Sequence, residues 1–383
     1  MHINKSRLIS IILSPLYLLI DWGIKQKSQN KKNKKILLIF LGYIGDYILF
    51  RNFIEEIKKD SKYKNYKITL CGNPLWKSIS ENLDKKYVNS FIWINRKKFL
   101  VNPIYRFRTL KKISKKSFET AIMPDYGRSF SVDSIFNISN SINKIGNNGG
   151  LDSILPWQKK ISDQYYTKLI YLKKEFEFEF TKNKDFFEQF LNKKLSTNLS
   201  IPIKKLKIDK SYIIFIPGAG ADFKKWSPKN FVKVADFIIS KNKVKIKILG
   251  SKKDSELAEK IITNSKYPKE IENLTGNNLL DTTNLIGNSK LVISNDTGPS
   301  HIAAATNIPT LCLTNGNEFG RFYPYPKNMS KKIIHLFPPK LEDRTFEGLV
   351  KEYSKGSNLN INSITSEKLI KKIQQLDFIT FNL

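Results

Sequence analysis

The chain has 383 residues, long enough for two domains of ordinary size, each with its own core. Its 66 lysines and arginines outnumber 34 aspartates and glutamates, giving a formal net charge of +32, a field that attracts anionic partners. Two cysteines far apart in sequence exclude a disulfide framework and fit a reducing cytoplasm, and three histidines with no Cys/His cluster exclude zinc spacing. Part of the charge is compositional, because a chain so rich in Lys, Asn and Ile is what an AT-rich genome encodes.

The first feature in chain order is Leu8 to Ile20, a mostly apolar run flanked by Lys5 and Arg7 and then by Asp21-Trp22. It is too short to cross a bilayer as a helix, which needs about twenty residues. No small-x-small cleavage pattern follows it, so a signal peptide fits poorly. Two readings stay open: an interfacial anchor with Tyr17 and Trp22 at headgroup level, or a helix packed on the protein's own surface. Lysines 25, 27, 31, 32, 34 and 35 follow, a polybasic stretch suited to an anionic surface.

A buried strand, Ile36 to Leu41, then ends in Gly42-Tyr43-Ile44-Gly45-Asp46, and an amphipathic helix runs on to about Lys59. Asp46 either caps that helix or stands at the strand's carboxyl end as a general base. A second basic group follows, with Arg96, Lys97, Lys98, Arg106, Arg108, Lys111, Lys112, Lys115 and Lys116. Ala121 to Met123 is another buried strand. The lysine-rich stretch around Thr181 to Lys210 reads as weakly structured and marks the interdomain boundary.

Tyr212 to Ile216 is a third buried strand, running into Pro217-Gly218-Ala219-Gly220 and then Lys224-Lys225-Trp226-Ser227-Pro228. Small residues at the carboxyl end of a parallel strand let backbone amides reach a bound group, and Lys224 adds a point charge. Phe223 stands where a dinucleotide fingerprint needs its third glycine, which weakens a dehydrogenase reading. After a helix from Asn230 to about Ser240 and a strand from Val244 to Leu249, Leu291 to Ile293 breaks at Ser294-Asn295-Asp296. Asn295, Asp296 and Thr297 can cap a helix that starts near Pro299, with Gly298 allowing a ligand close to the backbone. The free amides and the helix dipole form an anion site, with His301 one turn in. A last helix spans about Ser366 to Leu376. Strands that are continuous apolar runs with helices between them give an α/β fold with parallel sheets covered on both faces.

Leu41-Gly42-Tyr43-Ile44-Gly45-Asp46, Pro217 to Gly220 with Lys224 to Pro228, Leu274-Thr275-Gly276 and Asn295 to Ala305 form an ordered set that resembles bacterial glycosyltransferase family 9, the ADP-heptose:lipopolysaccharide heptosyltransferases. The resemblance spans roughly residues 36 to 330. It implies a GT-B fold of two Rossmann-like domains with a crevice between them. The implied boundaries are an N-terminal segment 1–35, an acceptor domain 36–185, a linker 186–210, a nucleotide-sugar domain 211–362 and a C-terminal helix 363–383 that packs back onto the first domain. It implies an inverting enzyme at the cytoplasmic face of a bacterial inner membrane, which moves a sugar from a nucleotide-diphosphate donor, ADP-heptose in the family, to a lipid-linked phosphorylated saccharide.

In that scheme Asp46 takes the acceptor proton and Gly42, Tyr43 and Gly45 shape the acceptor loop. Gly218, Lys224, Thr275, Thr297, Gly298 and His301 hold the nucleotide-sugar, while Asp296 caps or orients their loop. No cofactor is expected, and the absence of any Asp-x-Asp counts against the metal-chelating pair of GT-A enzymes. Two departures stand out. Lys252 occupies the position of the acidic residue that helps hold the ribose, with Asp254 as a substitute, and Tyr43 is bulkier than the family's first loop leads one to expect. The rival readings are a nucleotide-sugar epimerase of the same architecture, which would turn over donor alone, and a non-catalytic basic protein. A nucleic-acid partner fits the charge but explains none of the loop motifs, so none is expected.

Overall fold

The computed structural model describes residues 5–24, 32–174, 176–205, 212–242, 244–330 and 332–376. The chain divides into two units. The first comprises Met1–Glu175 with Phe180–Thr197, and the second comprises Phe176–Glu179 with Asn198–Leu383.

In the first unit six strands form one parallel sheet: β1 (Lys35–Phe40), β2 (Lys67–Gly72), β3 (Ser90–Trp93), β4 (Ser117–Met123), β5 (Asn140–Asn147) and β6 (Lys168–Ile170), in the order β3-β2-β1-β4-β5-β6. The apolar run of β1 is buried on both faces, as a strand with helices above and below must be. Leu37 and Ile39 join Ala121 and Met123 in one core layer. The chain order reverses between β1 and β4, so the loops at their carboxyl ends diverge and leave a place for a ligand.

The second unit repeats this plan with no repeat in sequence. Its strands are β7 (Tyr212–Ile216), β8 (Lys245–Ile248), β9 (Ile271–Asn273), β10 (Leu291–Asn295), β11 (Thr310–Leu313) and β12 (Ile333–Leu336), all parallel, in the order β12-β11-β10-β7-β8-β9. Its switch point lies between β7 and β10. The architecture is thus the α/β, doubly wound pair of Rossmann-like sheets that the sequence implied.

The N-terminal run becomes a 20-residue helix, Lys5–Ile24, longer than its apolar centre. Ser14, Tyr17 and Asp21 are buried in the first unit, where the Tyr17 hydroxyl donates to the Leu100 carbonyl and Asp21 pairs with Arg106 at 3.3 Å. The helix therefore packs on its own protein, the second of the two sequence readings, through a mixed face in which Ser14 and Asp21 lie beside Tyr17 and Ile24. Among the described residues no helix is long and apolar enough to cross a membrane. Lys25, Lys27 and Lys31 lie outside the described residues.

Two boundary expectations are corrected. The stretch expected to be weakly structured opens with the helix Glu179–Leu191, whose Phe186 and Phe187 are buried; Phe187 stacks on Phe53 at 5.3 Å. Its apolar spacing within a lysine-rich context was outweighed in the sequence by composition. The C-terminal helix, Ser366–Gln374, puts Leu369 and Ile373 into the second unit's own core with Phe231 and Ile238, rather than packing on the first domain. Thr365 caps it by accepting from the Lys368 amide at 3.1 Å.

Candidate functional site

At the switch point of the second sheet, the carboxyl ends of β7 and β10 are joined by one buried side chain. Asn295 donates through Nδ2 to the Pro217 carbonyl at 2.7 Å and accepts from the Trp226 amide at 3.2 Å. It thereby ties the Pro-Gly-Ala-Gly loop and the Lys-Trp segment to the end of β10. Trp226 is wholly buried and anchors its own loop by donating to the Ile364 carbonyl at 2.7 Å. The sequence expectation of Asn295 as a helix cap is therefore corrected: its amide is used across the loops, not along the chain.

Asp296 is also not a cap. Its carboxylate binds Lys224 Nζ at 2.9 Å, with both side chains largely buried. Burial disfavours the Asp296 carboxylate and raises its pKa, and Lys224 pulls it back. Burial works against the Lys224 ammonium too, yet Asp296 outweighs it and the net direction is upward, so the lysine stays charged. Asp296 thus fixes where the charge of Lys224 sits. Of the ammonium's three donors, this pair takes one.

The helix Gly298–Ala305 begins directly after this pair. Thr297 occupies its N-cap position in an extended conformation and makes no side-chain cap bond. With none of Asn295, Asp296 or Thr297 turned inward as a cap, the amides of Thr297 and Gly298 keep no partner among the described residues. Open amides at a helix N-terminus beside a fixed lysine are what an anion needs.

His301 departs from expectation. It is 4% exposed, its Nδ1 lies 2.6 Å from the Tyr325 hydroxyl, and rings of Phe322 and Tyr325 pack around it. Burial, reinforced by Lys224, lowers its pKa to about 3. A cationic His301 one turn into the helix is ruled out near neutral pH. The neutral ring fixes the first turn in place, and any contact with an anion is a neutral one.

On the far side of β7 the loops after β8 and β9 close in. A β-carbon at Gly218 would meet the Asp254 carboxyl carbon at 2.5 Å, so a larger residue there would push that carboxylate aside. The Asp254 carboxylate accepts from the Ser251 amide at 2.8 Å and its hydroxyl at 2.7 Å. Asp254 thus lies beside Gly218, two positions after Lys252. Gly276 holds φ +89°, a left-handed turn that favours glycine, and Thr275 is set by Asn273, which accepts from its amide at 3.0 Å and its hydroxyl at 2.7 Å.

The first unit carries a site of another kind. A cavity of about 390 Å³ opens at the carboxyl ends of its strands, walled by Tyr43 after β1, Asn73 after β2, Asn95, Arg96 and Lys97 after β3, and Ser129 and Ser131 after β4. Asn73 and Asn95 cap the turns that follow, accepting from the Leu75 and Lys98 amides at 3.2 and 2.9 Å. The Arg96 guanidinium lies over the Tyr43 ring at 5.7 Å. Asp46 is the third residue of the helix and not its N-cap, which is Tyr43, and its carboxylate reaches back to accept from the Tyr43 amide at 2.9 Å. Gly42 and Gly45 lie in the same turn, with Gly45 already helical. Sequence reasoning noted Arg96 and Lys97 only as charge and passed over Asn73, Asn95 and the serines; the usable signal was a polar residue directly after each apolar strand.

The glycosyltransferase family 9 (heptosyltransferase) model matches residues 157–344, which hold every loop of the second sheet described above. Over that stretch the chain is similar to this family. Lipooligosaccharide heptosyltransferase 2 of Haemophilus influenzae is 29% identical over 174 residues, covering 44% of this chain and 48% of that protein. Lipopolysaccharide heptosyltransferase 2 of Escherichia coli K12 is 26% identical over 175 residues, 45% of this chain and 48% of its own length. The chain thus spans about half the length of the curated relatives it matches. Among solved structures, a family 9 glycosyltransferase from Veillonella parvula superposes with a TM-score of 0.71 at 18% identity, covering 91% of this chain and 98% of that one. Escherichia coli heptosyltransferase WaaC, solved with ADP-2-deoxy-2-fluoro heptose, gives 0.65 at 15%, covering 89% and 99%. At such identities these likenesses speak for the fold, the GT-B type with one Rossmann-like sheet in each unit.

Proposed function

We propose that the protein is a glycosyltransferase that moves heptose from ADP-heptose, or a closely related nucleotide-diphosphate sugar, to a phosphorylated, lipid-linked saccharide of the lipopolysaccharide type, on the cytoplasmic side of an inner membrane. The observation that carries this reading is the second unit's anion seat: open amides of Thr297 and Gly298 next to a lysine that Asp296 holds in place. Gly218, Thr275 and Asp254 complete the ring of loops for the nucleoside. The first unit's cavity, with Arg96 and Lys97, suits a phosphorylated saccharide.

The reaction is a single displacement with inversion. The acceptor hydroxyl attacks the anomeric carbon, its proton passes to Asp46, and the bond from that carbon to the diphosphate breaks. The charge that develops on the departing diphosphate is met by the two amides and by Lys224, groups already in position before the reaction. No step calls for a metal, and chelators should leave the rate unchanged.

Titration of the full-length protein with ADP, UDP, GDP and CMP tests the donor half. Saturable binding with ADP preferred is expected, followed by transfer of labelled heptose to a lipid-linked core saccharide. Absence of binding to any nucleoside diphosphate, or donor turnover without an acceptor, would remove the transferase reading. Activity abolished by EDTA and restored by manganese would remove the metal-independent one.

A further inference from the structure

The N-terminal helix is amphipathic in the reverse sense to an ordinary surface helix. Its polar residues Ser10, Ser14 and Asp21 face the protein, where Gln158 Nε2 donates to Ser14 Oγ at 2.8 Å. Its outward arc carries Leu8, Ile12, Leu16, Leu19 and Trp22, of which Ile12, Leu19 and Trp22 are 67, 66 and 82% exposed. At 3.6 residues per turn these positions, with Pro15 and Gly23, fall on about a third of the helix circumference. Asp21 is the only acidic residue in the helix and it is buried, so the exposed arc carries no negative charge. Scattered exposed leucines need no explanation, but a contiguous stripe ending in an exposed tryptophan does.

What borders the stripe decides its occupant. The helices Arg96–Val101 and Pro103–Ser114 pack beside the N-terminal helix and add exposed Val101, Ile104 and Phe107. Exposed Lys97, Lys98, Arg108, Lys111 and Lys112 stand among them, with Lys111 Nζ 5.4 Å from the Phe107 ring centre. There is no acidic residue from Arg96 to Lys116. Apolar side chains interleaved with unopposed cations match the interface of a bilayer whose headgroups are anionic.

We infer that this face docks in the plane of an anionic bilayer, with the apolar arc of Lys5–Ile24 among the acyl chains and the flanking lysines and arginines at the headgroups. Ser10 of the same helix walls the 390 Å³ cavity, so docking brings the cavity to the depth of the headgroups. The inference stands on this face alone and does not depend on the transferase reading.

The test is flotation of the full-length protein with vesicles of phosphatidylcholine alone or with added phosphatidylglycerol, at low and high salt. The wild type should float with anionic vesicles and retain partial binding at high salt. Replacing Ile12, Leu16 and Leu19 by serine should lower vesicle affinity at least tenfold at low salt and abolish it at high salt. Replacing Lys98, Arg108, Lys111 and Lys112 by alanine should remove mainly the salt-sensitive share. All substituted side chains are exposed, and an unchanged thermal melt with unchanged ADP titration confirms that the variants are folded. Wild type that ignores anionic vesicles overturns the inference, as does an Ile12/Leu16/Leu19 variant that floats as well as wild type. So does a wild-type oligomer that falls to monomer in the serine variant, which would assign the stripe to a second copy of the chain.

Discussion

The two units share a strand order but use the switch point differently. In the second, buried polar side chains tie the loops together: Asn295 joins β10 to the loop after β7, and Asp296 grips Lys224. In the first, the corresponding region is open, a cavity walled by Asn, Ser and the cations Arg96 and Lys97. A diphosphate is small, always the same shape, and best met by fixed donors. A saccharide acceptor is large and variable, and is best met by volume and exposed charge. On the proposed reading the same architecture would serve both, because the loops, not the sheet, set the chemistry.

The largest effect should come from breaking the second unit's fixed pair. Lys224→Ala leaves a buried carboxylate without its cation, at a cost of about 3–5 kcal/mol. The melting temperature should fall and ADP affinity should drop with it. Lys224→Ala/Asp296→Ala removes both charges and should recover much of the stability while ADP binding stays weak. Full recovery of binding in the double variant would show that Lys224 serves structure alone.

Asp46→Asn comes next, and it separates cap from base. Asparagine keeps an oxygen for the Tyr43 amide, so the helix Ile44–Phe50 should start as before and the melt should be unchanged. Turnover should drop by about a hundredfold or more, the scale of a lost general base, with ADP affinity held. Near-normal turnover would leave Asp46 as a cap.

Much of this was legible in the sequence, and unevenly so. Each glycine loop after an apolar strand announced a parallel α/β unit with a ligand at the strand's carboxyl end, since local composition encodes both strand and turn. The residues expected at the second unit's anion seat come together in the structure, but Asn295 and Asp296 are not helix caps. Asn295 and Asp296 are good caps by propensity, yet tertiary partners at Pro217, Trp226 and Lys224 claimed them. The burial of His301 against Tyr325 could not be foreseen, because 24 residues and a strand separate the pair. The N-terminal run showed its apolar residues plainly, but which side would face the protein depended on Arg106 and Gln158, far away in the chain. Of the first unit's cavity the Tyr43 loop and the charge of Arg96 and Lys97 were visible, but Asn73, Asn95, Ser129 and Ser131 were not.

The open site should respond to charge more gently. Arg96→Gln should raise the KM for a phosphorylated acceptor by about tenfold with kcat nearly kept, as expected for one charge-assisted contact. Because Arg96 is only half-buried, added salt should raise the wild-type KM towards that of the variant. The KM for ADP-heptose should not move. A donor effect as large as the acceptor effect would remove the division of labour between the units.

Mild acid should give the smallest effect and distinguish the units once more. His301 and His335 lie in the second unit, each with its pKa lowered to about 3, chiefly by burial, and the described part of the first unit has no histidine. An unfolded histidine titrates near 6.5. Between 6.5 and about 3 the unfolded chain therefore takes up protons that the folded unit refuses. The stability contributed is complete above 6.5 and is lost as pH falls, with a ceiling of about 1.4 kcal/mol per pH unit for one histidine. Asp296, raised by burial, pulls the other way. In the first unit Asp21 and Asp84 are also raised by burial, so protonation there favours the folded state. Hydrogen exchange compared at pH 7 and 5.5 should show amides of β10 and β11 losing protection while those of β1 and β4 hold theirs. His335→Phe keeps a ring among Tyr323, Tyr325 and Phe337 and should reduce the loss in the second unit. Equal loss of protection in both sheets would mean that the units unfold as one, and that these histidines do not set the acid response.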